Sequence, residues 1–185
     1  MLARTAVGYF ASLVSSRLSA FGLVLILTRL LSLEHFGVYV LVVTTGEIAE
    51  TVASAWIRVT ILRLDAPHPQ DLRSAVRYAA TLTVATSLVA CAGLVLFGIA
   101  VSGVNCWLFG LCASAYVAAN STSRLFLTAL QVQGRAGAYT LLEFGRSLAT
   151  LVAAPLAVHL VSATFAAACL AGAAATFTFA AIGGL

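Results

Sequence analysis

Residues 9–31 read YFASLVSSRLSAFGLVLILTRLL. Apart from Arg17 and Arg29, this run is apolar or weakly polar. A helix of about 20 such residues crosses the ~30 Å hydrocarbon core of a bilayer. The run is too long for a secretory leader, has Arg17 in its middle, and lacks a clean small-residue cleavage site. It therefore reads as a retained first helix. The pattern recurs along the chain. Further helices are predicted at about 36–64, 74–101, 107–131, 139–161 and 163–185. Ser32 to His35 makes the first break. The main loop is Asp65 to Arg73, where Pro67 and Pro69 favour a turn. Ser102-Gly103-Val104-Asn105 and Gln133 to Gly137 make the next turns. Pro155 predicts a kink in the fifth helix. The Ala, Gly and Thr of the sixth predict close helix contact.

Composition agrees with the patterning. Of 185 residues, 62% are hydrophobic and only 9% charged, with mean hydropathy +1.06. Soluble domains carry about a quarter charged residues, so this surface is built for lipid. Strand-like alternation is absent, which argues against a barrel. The fold expected is an all-α integral membrane bundle of six transmembrane helices, forming one domain over 1–185. The formal net charge is +4, and all ten basic residues are Arg. They are spread along the chain, which excludes a nucleic-acid footprint. Cys91, Cys106, Cys112 and Cys169 have neither CxxC nor metal-ligand spacing and read as small hydrophobes. His35, His68 and His159 have no ligand-like partners in sequence. No nucleophile–base pair or phosphate-cradling glycine loop appears, so neither an enzyme nor a cofactor is expected.

Arg placement sets the expected orientation. With a cytoplasmic N-terminus, the inside segments carry Arg4, Arg63, Arg73, Arg77 and Arg135. The outside turns carry only Arg29. This asymmetry predicts both termini in the cytoplasm.

The ionisable residues within apolar runs are the candidates for function: Arg17, Glu47, Glu50, Arg58, Arg124, Glu143 and Arg146. A charge at mid-membrane costs about 2.5–3.5 kcal/mol on insertion scales, so such residues face a protein interior or a wet cavity. On the second helix Thr44, Glu47, Glu50, Thr51, Ser54 and Arg58 fall within roughly 60° of Glu47. Asn120, Ser121, Arg124, Thr128 and Gln131 form a stripe on the fourth. Glu143, Arg146, Ser147 and Thr150 form one on the fifth, and Arg17 and Thr28 a weaker one on the first. Such faces bury together, which predicts a hydrophilic cavity lined by helices one, two, four and five. Arg17, Arg58, Arg124 and Arg146 would meet there and attract an anion. The guanidinium fork suits phosphate. Glu47 stands at mid-membrane without an adjacent cation and, with Glu50, is the candidate for ion coupling. Plainer structural readings stand beside these. Arg58 at a helix end has the place of a snorkelling residue, Glu143 and Arg146 have pairing spacing, and Arg17 and Glu50 are candidates for a structural pair.

The stretch Arg29 to Tyr39 resembles the first loop of the polysaccharide biosynthesis, or lipid-linked oligosaccharide flippase, family. That family lies in the multidrug/oligosaccharidyl-lipid/polysaccharide exporter superfamily. Arg29, Leu31, Glu34, Phe36, Gly37 and Tyr39 match its pattern, with Ser32 and Leu33 in place of Gly-Pro. Ala55 followed by Arg58, and Gly134-Arg135 before Tyr139, are similar to further family features. The resemblance spans about residues 9 to 160. It implies a transporter of two six-helix lobes that opens alternately to either side of a bacterial inner membrane. It also implies a polyprenyl-diphosphate-linked glycan as substrate and ion gradients as the drive. In the related lipid II flippase, cavity arginines engage the diphosphate, which implies that role for Arg17 and Arg58. The family needs a second lobe. The apolar end at Gly183-Gly184-Leu185 gives the expectation of a chain cut short, completed by a missing half or a second chain. Two rivals make different demands. A multidrug or cation antiporter lobe would want acidic and aromatic lining. A non-transporting scaffold subunit would pair its polar stripes fully and leave no cavity.

Overall fold

The computed structural model describes residues 2–63, 69–100 and 106–184, with side chains described outside 1–9, 11, 64–73, 98–106 and 183–185. Its order is α1 (Leu2–Leu30), α2 (Leu33–Leu62), α3 (Pro69–Ala100), α4 (Cys106–Val132), α5 (Ala136–Leu160) and α6 (Phe165–Gly184). Five helices, all except α4, are long and apolar enough to cross a membrane among the described residues. α4 has the length, at 27 residues. Its centre, Asn120 to Arg124, is too polar for lipid. Asn120, Ser121 and Ser123 are buried instead, and α4 packs against α2, α3, α5 and α6. The chain is thus an all-α, multi-pass membrane bundle, with α4 and its polar middle packed among four other helices.

Helix ends follow local chemistry. α2 starts at Leu33, three residues before the expected Phe36, because the Ser32 hydroxyl accepts from the His35 N–H and caps it. Glu34 in that first turn suits the positive end of the helix dipole. α3 starts at Pro69, inside the expected loop, since proline is well suited to a first helical position. The rest of that loop, 64–68, and the expected Ser102–Asn105 turn lie outside the described residues. α4 ends at Val132, and the turn after it contains Gly134, whose φ of 66° is left-handed backbone open to glycine. The Arg135 N–H closes this turn onto the Leu130 carbonyl at 3.0 Å.

Packing divides the bundle. α1 lies on α5 and scarcely touches α2, its neighbour in sequence. α5 packs on α6, α6 on α4, and α4 on α2, while α3 covers α2 and α4 from outside. A buried apolar cluster joins both halves at one end: Leu23, Leu27 and Leu31 of α1, Tyr39 and Val42 of α2, Cys112 and Val117 of α4, Val158 of α5 and Phe165 of α6. At the other end the second cluster, Ile57, Ile61, Ala79 and Leu125, belongs to α2, α3 and α4 alone. A cavity lies between these elements and reaches Leu62, Gln131 and Tyr139 at the Gly134 end.

Glycines set two of the close approaches. A Cβ on Gly110 of α4 would stand 3.0 Å from the Val95 Cα, and one on Gly145 of α5 would stand 2.5 Å from the Phe179 ring. Gly110→Leu cannot be absorbed at a backbone contact. We expect a loss of about 1–3 kcal/mol, read as a lower thermal midpoint in nanodiscs, whereas Gly37→Ala, inside α2 with nothing within 4 Å of the added carbon, leaves the midpoint equal or slightly higher. Equal midpoints for the two variants would refute the α3–α4 contact.

Candidate functional site: a cavity with an ion-pair ladder

The cavity has a volume of about 710 Å³, within the usual range of roughly 300–1,000 Å³ for ligand pockets. α1, α2, α4 and α5 line it, together with α6, and no described side chain of α3 does. Arg17, Arg58, Arg124 and Arg146 all stand on its wall, as do Glu47 and Glu143. The α6 wall is made of small side chains, among them Ala168, Gly172 and Thr176. These small residues, which in sequence predict helix contact, also leave the room that the cavity occupies.

Glu50 lies behind this wall and is fully enclosed, with a side chain 1% exposed. Both its oxygens are taken. Arg58 and the Ser54 hydroxyl donate to Oε1, and Arg124 Nη1 donates to Oε2 at 2.6 Å. Arg124 then reaches with Nη2 to Glu47 Oε1 at 2.8 Å, where the Tyr116 hydroxyl also donates at 2.9 Å. The result is a ladder, Arg58–Glu50–Arg124–Glu47–Tyr116, that ties α2 to α4. Ideal α-helix geometry explains its α2 rail, since Glu50, Ser54 and Arg58 recur at i, i+4 and i+8. Separately, Arg146 grips Glu143 one turn away, with Nη2 to Oε1 at 2.8 Å and Nε to Oε2 at 3.2 Å.

Three sequence readings change accordingly. Glu47 does have a cation beside it, Arg124, which comes from another helix and is invisible to spacing within α2. The suggested Arg17–Glu50 pair does not form, because Arg58 and Arg124 occupy Glu50 and α1 stands away from α2. Arg58 does not snorkel to the membrane surface but turns inward along its own helix. The Glu143–Arg146 pair is present at the expected spacing. Arg17 makes no ion pair among the described residues. Of the polar stripes, Ser121 and Thr28 are absent from the cavity wall, and Thr51 is exposed.

Tyr116 is the site residue that the polar-stripe reading passes over. It lies i−4 to Asn120 and i−8 to Arg124, so the same stripe contains it. Its ring lies against Gly46, where a Cβ would come within 2.6 Å of Cδ1. The glycine one residue before Glu47 therefore admits the tyrosine that holds Glu47.

Charge counting defines what the cavity offers. Four guanidinium groups face three carboxylates, and the surplus positive charge belongs to Arg17 on α1. The carboxylates differ in reach. Glu47 is 44% exposed on the wall, against 1% for Glu50. A ligand or a proton can therefore meet Glu47 directly, whereas Glu50 is an internal strut. Neither a family model, nor a curated protein, nor a solved structure matches the chain, so the cavity's own chemistry carries the functional reading.

Removing the strut leaves Arg58 and Arg124 without their shared carboxylate. Glu50→Ala is expected to cost about 3–5 kcal/mol, as for other broken buried pairs. The companion change Arg58→Met should recover part of it by removing one stranded charge. Thermal denaturation of the two variants in lipid decides this. A Glu50→Ala protein as stable as the parent would show that the ladder does not hold α2 to α4.

Proposed function

We propose that this chain is a transporter lobe that takes the diphosphate head of a lipid-linked glycan, a polyprenyl-diphosphate sugar, for export of cell-surface polysaccharide. The single observation behind this is Arg17, a guanidinium with no ion-pair partner among the described residues, on the wall of a cavity that also presents Arg58, Arg124 and Arg146. Anions are drawn to such a surplus, and the cavity's low-dielectric apolar walls, Leu23, Val43 and Leu151 among them, strengthen the attraction. The slack contact between α1 and α2 suits a ligand whose tail stays in lipid while its head enters the cavity. The resemblance of Arg29 to Tyr39 to lipid-linked oligosaccharide flippases points the same way.

In this reading Arg17 makes the first contact. A diphosphate carries more negative charge than one guanidinium balances. It therefore competes with Glu47 for the outward arm of Arg124, and Glu47, once released, is the group that takes up a proton or cation. Glu50 keeps Arg58 and Arg124 aimed and does not itself exchange. This assigns ion coupling to Glu47 and structural support to Glu50. The setting is a bacterial inner membrane with both termini cytoplasmic, a placement that rests on the arginine distribution and the family resemblance. The cavity then opens to the cytoplasm, and a second lobe or chain supplies the opposite wall.

The rival readings fit less well. A cation antiporter would need free acids, and Glu47, Glu50 and Glu143 are all paired with arginines. A scaffold would leave no cavity and no unpaired arginine.

Binding by the purified protein in nanodiscs tests the proposal, with farnesyl diphosphate and a fluorescent lipophilic cation as probes. A lost charge-assisted hydrogen bond costs about 1.5–3 kcal/mol, so Arg17→Ala should weaken diphosphate binding roughly 10–100-fold. Glu47→Gln, which loosens its hold on Arg124, should strengthen it. Unchanged affinity in both variants, or preference for the cationic probe, would overturn the assignment.

A further inference from the structure

The α3–α4 interface contains a second polar site that the cavity chemistry does not use. Its register is fixed at three points. The backbone of Val95 faces Gly110. Cys91 and Ser114 exchange hydrogen bonds, the Ser114 hydroxyl donating to the Cys91 carbonyl at 3.4 Å and the Cys91 thiol to the Ser114 carbonyl at 3.6 Å. Ala79 and Leu125 share a buried cluster. The helices are therefore antiparallel, and each turn down α3 meets one turn up α4. Ser87 and Thr83 follow Cys91 at successive i−4 steps, so they belong to the same α3 stripe. Ser121 lies seven residues after Ser114 and four before Leu125, on the facing α4 stripe. Interpolating the register puts Ser121 opposite the step between Thr83 and Ser87.

All three residues are buried, at 4%, 8% and 1% exposure for Thr83, Ser87 and Ser121. Their hydroxyl oxygens have no hydrogen-bond partner within the protein. Neighbours on the same helices behave differently. Thr81 and Thr86 of α3, and Thr122 and Thr128 of α4, donate back to carbonyls of the preceding turn. The three orphaned hydroxyls are the ones that the register places on the facing stripes of α3 and α4. A polar group enclosed at membrane depth is costly unless it is satisfied.

We propose that Thr83, Ser87 and Ser121 bind an internal water that bridges α3 to α4. A buried water typically makes two to four hydrogen bonds, and three hydroxyls, each donor and acceptor, meet that need. A monovalent cation is the wrong ligand here. Arg124 is rooted one turn beyond Ser121, and the nearest buried carboxylate, Glu50, already has both oxygens engaged. No free negative charge is left to offset a sodium ion. The water would buttress the cavity from behind. No described side chain of α3 lines it, but α4 carries Tyr116, Asn120 and Arg124, and the bridge would fix the turn from which Arg124 departs. The inference stands independently of what the cavity binds.

Solid-state NMR of the isotope-labelled full chain in lipid bilayers tests it through magnetisation transfer from water. Thr83, Ser87 and Ser121 should receive signal early, while the equally enclosed methyls of Val42 and Val117 stay dark. Thr83→Val, Ser87→Ala and Ser121→Ala should each lower the thermal midpoint by roughly 2–6 °C. The triple variant should lose less than the three together, because it strands no polar group. Dark hydroxyls in the parent protein would overturn the proposal. A midpoint that falls when sodium is exchanged for choline would assign the site to a cation and overturn it as well.

Discussion

One enclosed carboxylate organises this bundle. Glu50 sits enclosed between α2 and α4, where packing would ordinarily demand an apolar side chain, and there it accepts from two arginines and a serine. Buried ion pairs contribute little net stability compared with apolar packing, yet breaking one is costly. What Glu50 supplies is therefore position more than energy. With it in place, Arg58 is bent inward along α2 and Arg124 is held across from α4 with one arm free to reach Glu47. Without it, two guanidinium groups at membrane depth would repel each other and draw in water or lipid phosphate.

The cavity follows from an imbalance in apolar packing. At one end, side chains from all six helices interlock around Leu27, Val42 and Val117, all fully buried. At the other end, only α2, α3 and α4 share an apolar cluster. Charged residues replace the missing core between the halves, and charged residues keep water. α1 is the least constrained wall because it leans on α5 and hardly on α2. That freedom explains why its arginine has no carboxylate. An arginine on α2 or α4 stands within reach of Glu47 or Glu50, while one on α1 faces them across the gap.

Much of this was legible in the sequence, and the exceptions have physical causes. Apolar run length gave six helices, and the helical period grouped Thr44, Glu47 and Arg58 with the stripes on α4 and α5. Local pairing, as between Glu143 and Arg146, was readable because both partners sit on one helix. Partners on different helices were not. Nothing in the spacing of α2 says that Glu47 meets Arg124 and Tyr116, since that contact depends on how α4 is rotated and on the bare backbone at Gly46. Depth was equally hidden. Glu47 and Glu50 lie on one stripe, yet three residues of helix rotate one to the wall and the other behind it. The α6 wall escaped notice because a cavity lined by Ala and Gly carries no chemical signature.

The same rotation bears on the proposed binding at a site of paired charges. A network in which every charge were as enclosed as Glu50 would be inert, for no ligand could reach it. One in which every charge were as open as Arg17 would be too costly to hold in a membrane. Here satisfaction is graded from the α2–α4 interface outward. Glu50 is closed and fully bonded, Arg124 is shared between a closed partner and an open one, Glu47 is open and held by a tyrosine, and Arg17 is open and unpaired. In the proposed reading, an arriving anion meets the surplus charge first and trades places with Glu47 next, while the inner strut stays intact. The gradient lets the bundle tolerate four arginines in its interior and still leave one of them available.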